Sequence, residues 1–253
     1  AKVPGQGDLG RVQRDEKGRM LAIVESANAR HGLPAEINGG VYCFEGQWLW
    51  ENLVRLEPSA SGEMFLTSLA EICAKQNQNV DAVLADDAQD LLGVNDRRQL
   101  AMVEAVQRQR ICQAWMLEGV TVTDPASVYI DVGVSIGRDT LLLPNTMLLG
   151  TSKIGEDCEI GPNTTVRDTS VGDRCRITAS TVEEATMEND VQMGPYSHLR
   201  PGAYLENDVY LGNYVEVKES RFAQAAVMGH FGYIGDASIG ARANLGAGMV
   251  TCN

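Results

Sequence analysis

The chain has 253 residues, of which 44% are hydrophobic, and a formal net charge of −13. Because a phosphate backbone would be repelled over most of such a surface, we expect no nucleic-acid partner. No apolar run approaches the roughly 20 residues of a membrane-spanning helix, so we also expect a soluble protein without membrane insertion. Six scattered cysteines without a C-x-x-C pair fit packing residues in a reducing cytoplasm.

Residues 1–95 have the pattern of an α/β domain. Apolar runs bounded by turn-forming or polar residues predict short buried strands at three places: 21–24, 40–44 and 80–84. Apolar residues at three-residue spacing predict a helix over 63–75: Leu66, Leu69 and Ile72. The alternation favours the α/β class, and the loop-like opening suggests that the domain is incomplete.

A longer helix is predicted over residues 96–119. Asn95 or Asp96 would cap its start, with Gln99 placed for a capping box, and Gly119 would end it. Its apolar side would be formed by Leu100, Val103, Val106, Ile111, Trp115 and Met116. This helix either connects two domains or packs as the last helix of the first one, and the pattern does not separate the two.

The second half, residues 120–253, carries a repeat. An aliphatic or similar residue recurs every five or six positions: Ile136, Leu142, Leu148, Ile154, Ile160, Val166, Val171, Ile177, Val182, Met187, Met193, Leu199, Leu205, Leu211, Val217, Phe222, Met228, Ile234, Ile239, Leu245 and Thr251. Four residues after most of them stands a small or β-branched residue: Thr140, Thr146, Ser152, Cys158, Thr164, Ser170, Cys175, Thr181, Ser197, Ala203, Val209 and Val215.

Neither a helix nor an ordinary strand has a period of six residues. Short flat strands joined by tight corners do, and three of them close a triangular coil of about 18 residues. Such coils stack in parallel at about 4.8 Å, so the pattern predicts a parallel β-helix of hexapeptide repeats. Both ends of such a stack need a cap, and the repeat stops in mid-pattern, so we expect it to be incomplete at its C-terminal end.

The last 60 residues contain in order L-R-P-G-A, L-G-N-Y-V-E-V-K, G-H-F-G-Y-I-G-D-A and N-L-G-A-G-M-V-T-C-N. They closely resemble the acetyltransferase domain of the bifunctional UDP-N-acetylglucosamine pyrophosphorylase / glucosamine-1-phosphate N-acetyltransferase family. The first half resembles that family's pyrophosphorylase domain at I-V-E (Glu25), E-I-N (Asn38), G-E (Gly62) and G-V-N (Asn95). The resemblance implies a left-handed β-helix, preceded by a remnant of a Rossmann-like nucleotidyltransferase domain.

For acetyl transfer from acetyl-CoA to glucosamine-1-phosphate, the resemblance implies His230 as the catalytic base. It implies four substrate-binding residues, Arg200, Lys218, Tyr233 and Asn244, and two on the acetyl-CoA side, Ala247 and Asn253. A base is needed because the attacking amine must lose a proton, and cations suit the sugar phosphate. In the family the cofactor lies between neighbouring solenoids of a homotrimer.

For uridylyl transfer, the family couples N-acetylglucosamine-1-phosphate to UTP with Mg²⁺ and supplies peptidoglycan and lipopolysaccharide precursors. By resemblance Glu25 and Asn38 would contact the sugar nucleotide, and Asn95 would be a metal ligand. The family's L-x-A-G-x-G-T-R-M loop and the Asp that completes its metal site are missing from the sequence, and Ser68 stands where the family usually has Asp. We therefore expect no uridylyl transfer from these residues alone.

Three other functions fit parts of the sequence. A monofunctional hexapeptide acyltransferase would carry a self-contained N-terminal cap, which the first-half motifs disfavour. A zinc hydratase on the same solenoid would need three histidines, and only His198 and His230 lie in the repeat. A non-catalytic trimerising scaffold is the serious alternative, because cofactor contacts are expected beyond Asn253.

Overall fold

The computed structural model describes residues 2–3, 10–25, 35–59 and 62–251. The chain divides into two compact units, Ala1–Val103 and Glu104–Asn253. Within the described residues, no helix is both long and apolar enough to cross a membrane.

The described part of the first unit combines two antiparallel strand pairs with short helices. Its elements are β1 (Lys2–Val3), β2 (Arg11–Arg14), β3 (Met20–Val24), β4 (Ala35–Glu36), α1 (Gly46–Leu53), α2 (Ser68–Lys75) and a 3-10 turn (Ala88–Leu91). Strand β2 pairs with β3, and β1 with β4. Helix α2, whose Leu69 is fully buried, packs against β3, and this combination confirms the α/β class.

Of the three strands predicted in this unit, only the one at 21–24 is confirmed, as β3. The predictions at 40–44 and 80–84 are wrong, because both segments run without strand pairing. Val41 exposes 84% of its surface and Val83 95%, so neither segment buries its apolar residues as a strand within a sheet does. The predicted helix over 63–75 is shorter and begins only at Ser68.

Helix α3 spans Arg97–Leu117 and confirms the predicted long helix. Asp96 is its cap, since the Asp96 Oδ1 accepts from the Gln99 backbone N–H at 2.7 Å. The Gln99 side chain reaches back to the Asn95 N–H at 2.6 Å, as in a capping box. At the other end Gly119 has a φ of 98°, a left-handed conformation that suits glycine and ends the helix.

The second unit is a parallel β-solenoid with three faces. Face I consists of β7 (Ser135–Ile136), β10 (Lys153–Ile154), β13 (Ser170–Val171), β16 (Thr186–Met187), β19 (Tyr204–Leu205), β22 (Arg221–Phe222) and β25 (Ser238–Ile239). Face II consists of β5 (Thr121–Val122), β8 (Leu141–Leu142), β11 (Glu159–Ile160), β14 (Arg176–Ile177), β17 (Gln192–Met193), β20 (Tyr210–Leu211), β23 (Val227–Met228) and β26 (Asn244–Leu245). Face III consists of β6 (Tyr129–Ile130), β9 (Thr146–Leu149), β12 (Thr164–Arg167), β15 (Thr181–Glu183), β18 (His198–Leu199), β21 (Val215–Lys218) and β24 (Gly232–Gly235).

The predicted aliphatic series forms the solenoid core. Every member from Ile136 to Ile234 is buried, and Leu199, Val217 and Phe222 are at 0% exposure. Each pairs with its counterpart one coil away, as Ile160 does with Ile177. The hexapeptide β-helix is therefore confirmed, while its left-handed coiling and the Rossmann-like origin of the first unit stay predictions of the resemblance.

The second rule of the repeat does not by itself identify the buried small residue at two positions. Ser170 is exposed and Thr181 is only half-buried, and their predecessors Thr169 and Ser180 are buried at 2% and 4% instead. The buried small residue lies two positions before the next aliphatic residue, because alternate residues of a strand point to the same side. Where the repeat shortens to five residues, counting four forward from the previous aliphatic residue therefore goes one too far.

The start of the solenoid is covered by the last turns of α3. Cys112 is fully buried in the same core as the first coils, and Ile111 and Trp115 pack against that core. These residues shield the open end of the stack from water, as the terminal unit of a solenoid must.

Candidate functional site

Three of the predicted site residues lie together on the outer side of face III. Leu199 pairs with Val217 and Val217 with Ile234, and all three side chains are buried. Because neighbouring residues of an extended chain point to opposite sides, Arg200, directly after β18, and Lys218, the last residue of β21, both face outward, about 4.8 Å apart along the stack. Tyr233 faces outward one coil further, in register with Glu216.

Ion pairs run along this side of face III. The Arg200 Nη1 donates to the Glu216 Oε1 at 2.8 Å. One coil earlier, the Glu183 carboxylate lies 3.1 Å from the His198 Nε2 and 3.9 Å from the Arg167 Nε.

Lys218 is a further charged side chain on the outer side of face III. Within the described part of the chain its ammonium group makes no ion pair. Arg200 and Lys218 thus form a locally cationic pair on a chain of net charge −13, with Glu216 as its acidic neighbour.

His230 lies at the corner between faces II and III, after β23 and before β24. Its side chain is exposed. Met228 pairs with Leu245 in the next coil, so Ala247 occupies the same corner position one coil later. Asn244 is exposed on β26 of face II, three residues before Ala247. The structure therefore places His230 and Ala247 on one corner, and Asn253 lies outside the described residues.

The same corner carries a column of exposed aromatic rings that the sequence analysis missed. Tyr196, Tyr214 and Phe231 occupy consecutive coils and expose 63%, 59% and 58% of their surfaces. The rings of Tyr196 and Tyr214 stack with their centroids 5.5 Å apart. The sequence held a signal, since each aromatic residue comes two positions after a glycine of the repeat.

In the first unit, Glu25 and Asn38 lie close to each other around Gly10. A Cβ atom at Gly10 would lie 3.4 Å from the Glu25 Oε2 and 3.5 Å from the Asn38 Cβ. The Glu25 Oε1 accepts from the Thr67 hydroxyl at 2.6 Å, and the Asn38 amide bonds the Tyr42 hydroxyl at 2.6 Å. Sequence reasoning missed Gly10, because only its contacts set it apart from other loop glycines.

Asn38 also lines a cavity of about 750 Å³ in the first unit. The rings of Tyr42, Phe44 and Trp48 stack along it, with centroid separations of 6.0 and 6.2 Å. Glu25 and Asn95 are not among the cavity residues, so the three residues predicted for uridylyl transfer do not share this space.

Asn95 does not gather a magnesium site among the described residues. Its backbone N–H bonds the Gln99 side chain, and the carboxylate of the adjacent Asp96 serves as the helix cap. Mg²⁺ is held in proteins by carboxylates and substrate phosphates, and no three His, Cys, Asp or Glu side chains converge in the described ranges. The assignment of Asn95 as a metal ligand therefore stays a prediction of the resemblance.

Comparison with known proteins identifies relatives of this chain. The family described as "Bacterial transferase hexapeptide (six repeats)" matches residues 133–168. The "Bifunctional protein GlmU" of Geobacillus sp. (strain WCH70) is 41% identical over 96% of this chain and 54% of its own length. The "Bifunctional protein GlmU" of Pelobacter propionicus is 40% identical over the whole chain and 56% of its own length.

Among solved structures, the acetyltransferase domain of PglB from Neisseria gonorrhoeae is similar with a TM-score of 0.37 and 12% identity, covering 56% of this chain and 64% of that one. The chain spans little more than half the length of the curated relatives above. Because nearly the whole chain aligns with them at about 40% identity, it belongs to the family of bifunctional GlmU proteins.

Proposed function

We propose that the solenoid transfers an acetyl group from acetyl-CoA to the 2-amino group of glucosamine-1-phosphate. The product would be N-acetylglucosamine-1-phosphate. The observation that carries the proposal is the in-register stack of Arg200 and Lys218 on face III, the face that follows the corner presenting His230.

The cationic pair would hold the phosphate of the sugar. Arg200 offers a planar fork that can bond two phosphate oxygens, and Lys218 adds a compact point charge. Tyr233, one coil away from Lys218, would donate its hydroxyl hydrogen to the same anion. Asn244 would contact the sugar from face II.

His230 would act as general base. The neutral imidazole would take one proton from the 2-amino group as the amine nitrogen attacks the thioester carbonyl. The C–N bond then forms, the C–S bond breaks, and coenzyme A leaves as its thiolate. An exposed imidazole suits this role, because no described residue competes for the ring by a hydrogen bond.

The acetyl-CoA side would be built by Ala247 and Asn253, with a neighbouring solenoid of a homotrimer completing the cleft. The exposed column Tyr196, Tyr214 and Phe231 supports such an arrangement, because aromatic side chains exposed in a row are typical of protein–protein contacts.

Family membership adds a second proposed reaction, uridylyl transfer from UTP in proteins of the full family length, with Glu25 and Asn38 as sugar-nucleotide contacts. We place both activities in the cytoplasmic synthesis of peptidoglycan and lipopolysaccharide precursors.

The proposal is tested by supplying acetyl-CoA with either glucosamine-1-phosphate or glucosamine and measuring the released coenzyme A thiol. Loss of the phosphate removes two charge-assisted contacts, so kcat/KM should fall about 100-fold or more. Lys218→Met should erase part of this preference, whereas Lys153→Met, an exposed lysine on face I, should leave it intact. Equal rates with both sugars, or no acetyl transfer to either, would contradict the proposal, and the second result would favour a non-catalytic scaffold.

A further inference from the structure

An acidic side chain stands inside the proposed phosphate-binding surface. Glu216 lies on β21 with its neighbours Val215 and Val217 buried at 1% and 0%, so its carboxylate faces outward. Its register partners are His198 in the preceding coil and Tyr233 in the next. The Glu216 Oε1 accepts from the Arg200 Nη1 at 2.8 Å.

A carboxylate repels a phosphate, so its presence on an anion-binding surface needs a reason. Stability offers a weak one, because the side chains of Arg200 and Glu216 are 40% and 42% exposed and such surface pairs contribute little. Geometry offers a stronger one. Glu216 engages one nitrogen of Arg200 and leaves further N–H donors of the guanidinium available.

The direction of the contact matters because a second carboxylate occupies the neighbouring register position on the other side of Arg200. Val182 pairs with Leu199, which places Glu183 beside Arg200 on the strand before it. Glu216 lies on the strand after it, the strand that also carries Lys218. Glu216 therefore draws the guanidinium toward Lys218, whereas Glu183 would draw it away.

We propose that Glu216 is a positioning residue that holds the Arg200 guanidinium beside Lys218, so that both cations address one phosphate. The inference rests on the proposed function, since it assumes that Arg200 binds the sugar phosphate. Glu216 itself makes no bond to the reacting atoms. Its effect should appear in the affinity for the sugar phosphate and leave the chemical step unchanged.

The test measures the Kd of glucosamine-1-phosphate by calorimetry, and kcat alongside it. Glu216→Ala frees Arg200 to turn toward Glu183, and the Kd should rise about tenfold, the loss expected for one misplaced charge-assisted hydrogen bond. Glu216→Gln keeps an acceptor oxygen and should restore the Kd to within about threefold. The matched control Glu183→Ala removes a carboxylate from the preceding coil and should leave the Kd unchanged.

A double-mutant cycle with Arg200→Ala separates this inference from the proposed function. If Glu216 acts through Arg200, Glu216→Ala causes no further loss once Arg200 is gone. An equal loss in both backgrounds, an unchanged Kd in Glu216→Ala, or a Gln variant as weak as the Ala variant overturns the positioning role. An unchanged Kd in Arg200→Ala alone contradicts the proposed phosphate site instead.

Discussion

The two units of this chain bury their apolar side chains in different ways. In the solenoid, each coil contributes aliphatic residues from three strands to one continuous core, and the series from Ile136 to Ile234 is buried without exception. In the described part of the first unit, the buried hydrophobic residues are Met20, Ile37, Leu69 and Ala70.

The first unit also exposes large apolar residues, among them Val41, Val54 and Val83 at 84%, 84% and 95%. A periodic stack gains its stability from identical contacts between neighbouring coils, so its sequence must repeat them. The first unit has no such repetition, and each of its elements depends on contacts that are particular to it. In the solenoid, each aliphatic residue of the series must therefore be buried at its own position, and single substitutions can measure the stability that each one contributes.

The largest effect is expected in the solenoid core. Phe222 is fully buried, and Phe222→Ala should cost about 3–5 kcal/mol of unfolding free energy, because a cavity remains where the ring was. Chemical denaturation followed by circular dichroism measures this loss. Val132→Ala, at a solenoid residue that exposes 87% of its surface, is the control and should change the unfolding free energy by less than about 0.5 kcal/mol. Equal losses in the two variants would contradict the assignment of inward and outward positions.

A smaller loss is expected where the coils approach each other at a corner. A Cβ atom at Gly212 would overlap the carbonyl oxygen of Gly229 in the next coil, so Gly212→Ala should cost about 1–3 kcal/mol. At Gly229 the added Cβ would come no closer than 3.9 Å to another atom, an ordinary contact with the Tyr210 ring, and Gly229→Ala should be close to neutral. A melting temperature that falls equally in both variants would argue against the close approach of these coils.

Helix α3 offers a local test outside the repeat. Asp96→Ala removes the side chain that caps the helix and should cost about 1 kcal/mol, since the Gln99 N–H loses its acceptor. Hydrogen exchange should accelerate in the first turn of α3. The exposed Asp86 serves as control, and Asp86→Ala should leave that exchange unchanged. If both variants exchange alike, Asp96 is not the cap.

The smallest effect expected is the acid sensitivity of the solenoid surface. Hydrogen bonding to Arg174 lowers the pKa of Asp190, and hydrogen bonding to Arg221 lowers the pKa of Glu206. Both carboxylates thus bind protons more weakly in the folded state, and their contribution is present above their unfolded pKa values of about 4. The contribution is lost as the pH falls through the lowered values. Melting temperatures between pH 6 and pH 3 should therefore fall less steeply in Arg174→Gln than in the parent protein, and identical slopes would contradict the pairing.

The sequence predicted the solenoid because one rule, an inward aliphatic residue in each short strand, acts on every coil. Spacing alone did not show that Thr169 and Ser180, rather than Ser170 and Thr181, are the buried small residues, because the five-residue steps shift the buried residue relative to the preceding aliphatic one. It also predicted strands at 40–44 and 80–84, where apolar composition alone does not determine whether a partner strand is present. Strand propensity reports side-chain packing, and packing is decided by the rest of the fold.

The candidate site was predictable only in part. The resemblance named Arg200, Lys218 and Tyr233, and the register of face III brings them to one surface. The sequence did not predict a role for Glu216, because its hydrogen bond with Arg200 depends on the pairing of β18 with β21 rather than on spacing along the chain. The aromatic column was missed for the same reason, since its members are 17 or 18 residues apart.

The most direct test of the account compares two histidines of the solenoid in one assay. The initial rate of coenzyme A release with glucosamine-1-phosphate is measured for the parent protein, His230→Ala and His198→Ala. Loss of a general base should slow the reaction at least about 100-fold in His230→Ala. His198 pairs with Glu183 and has no proposed part in the transfer, so His198→Ala should stay within about threefold of the parent. Near-parent rates in His230→Ala, or an equal loss in both variants, would contradict the assignment of His230 as the general base.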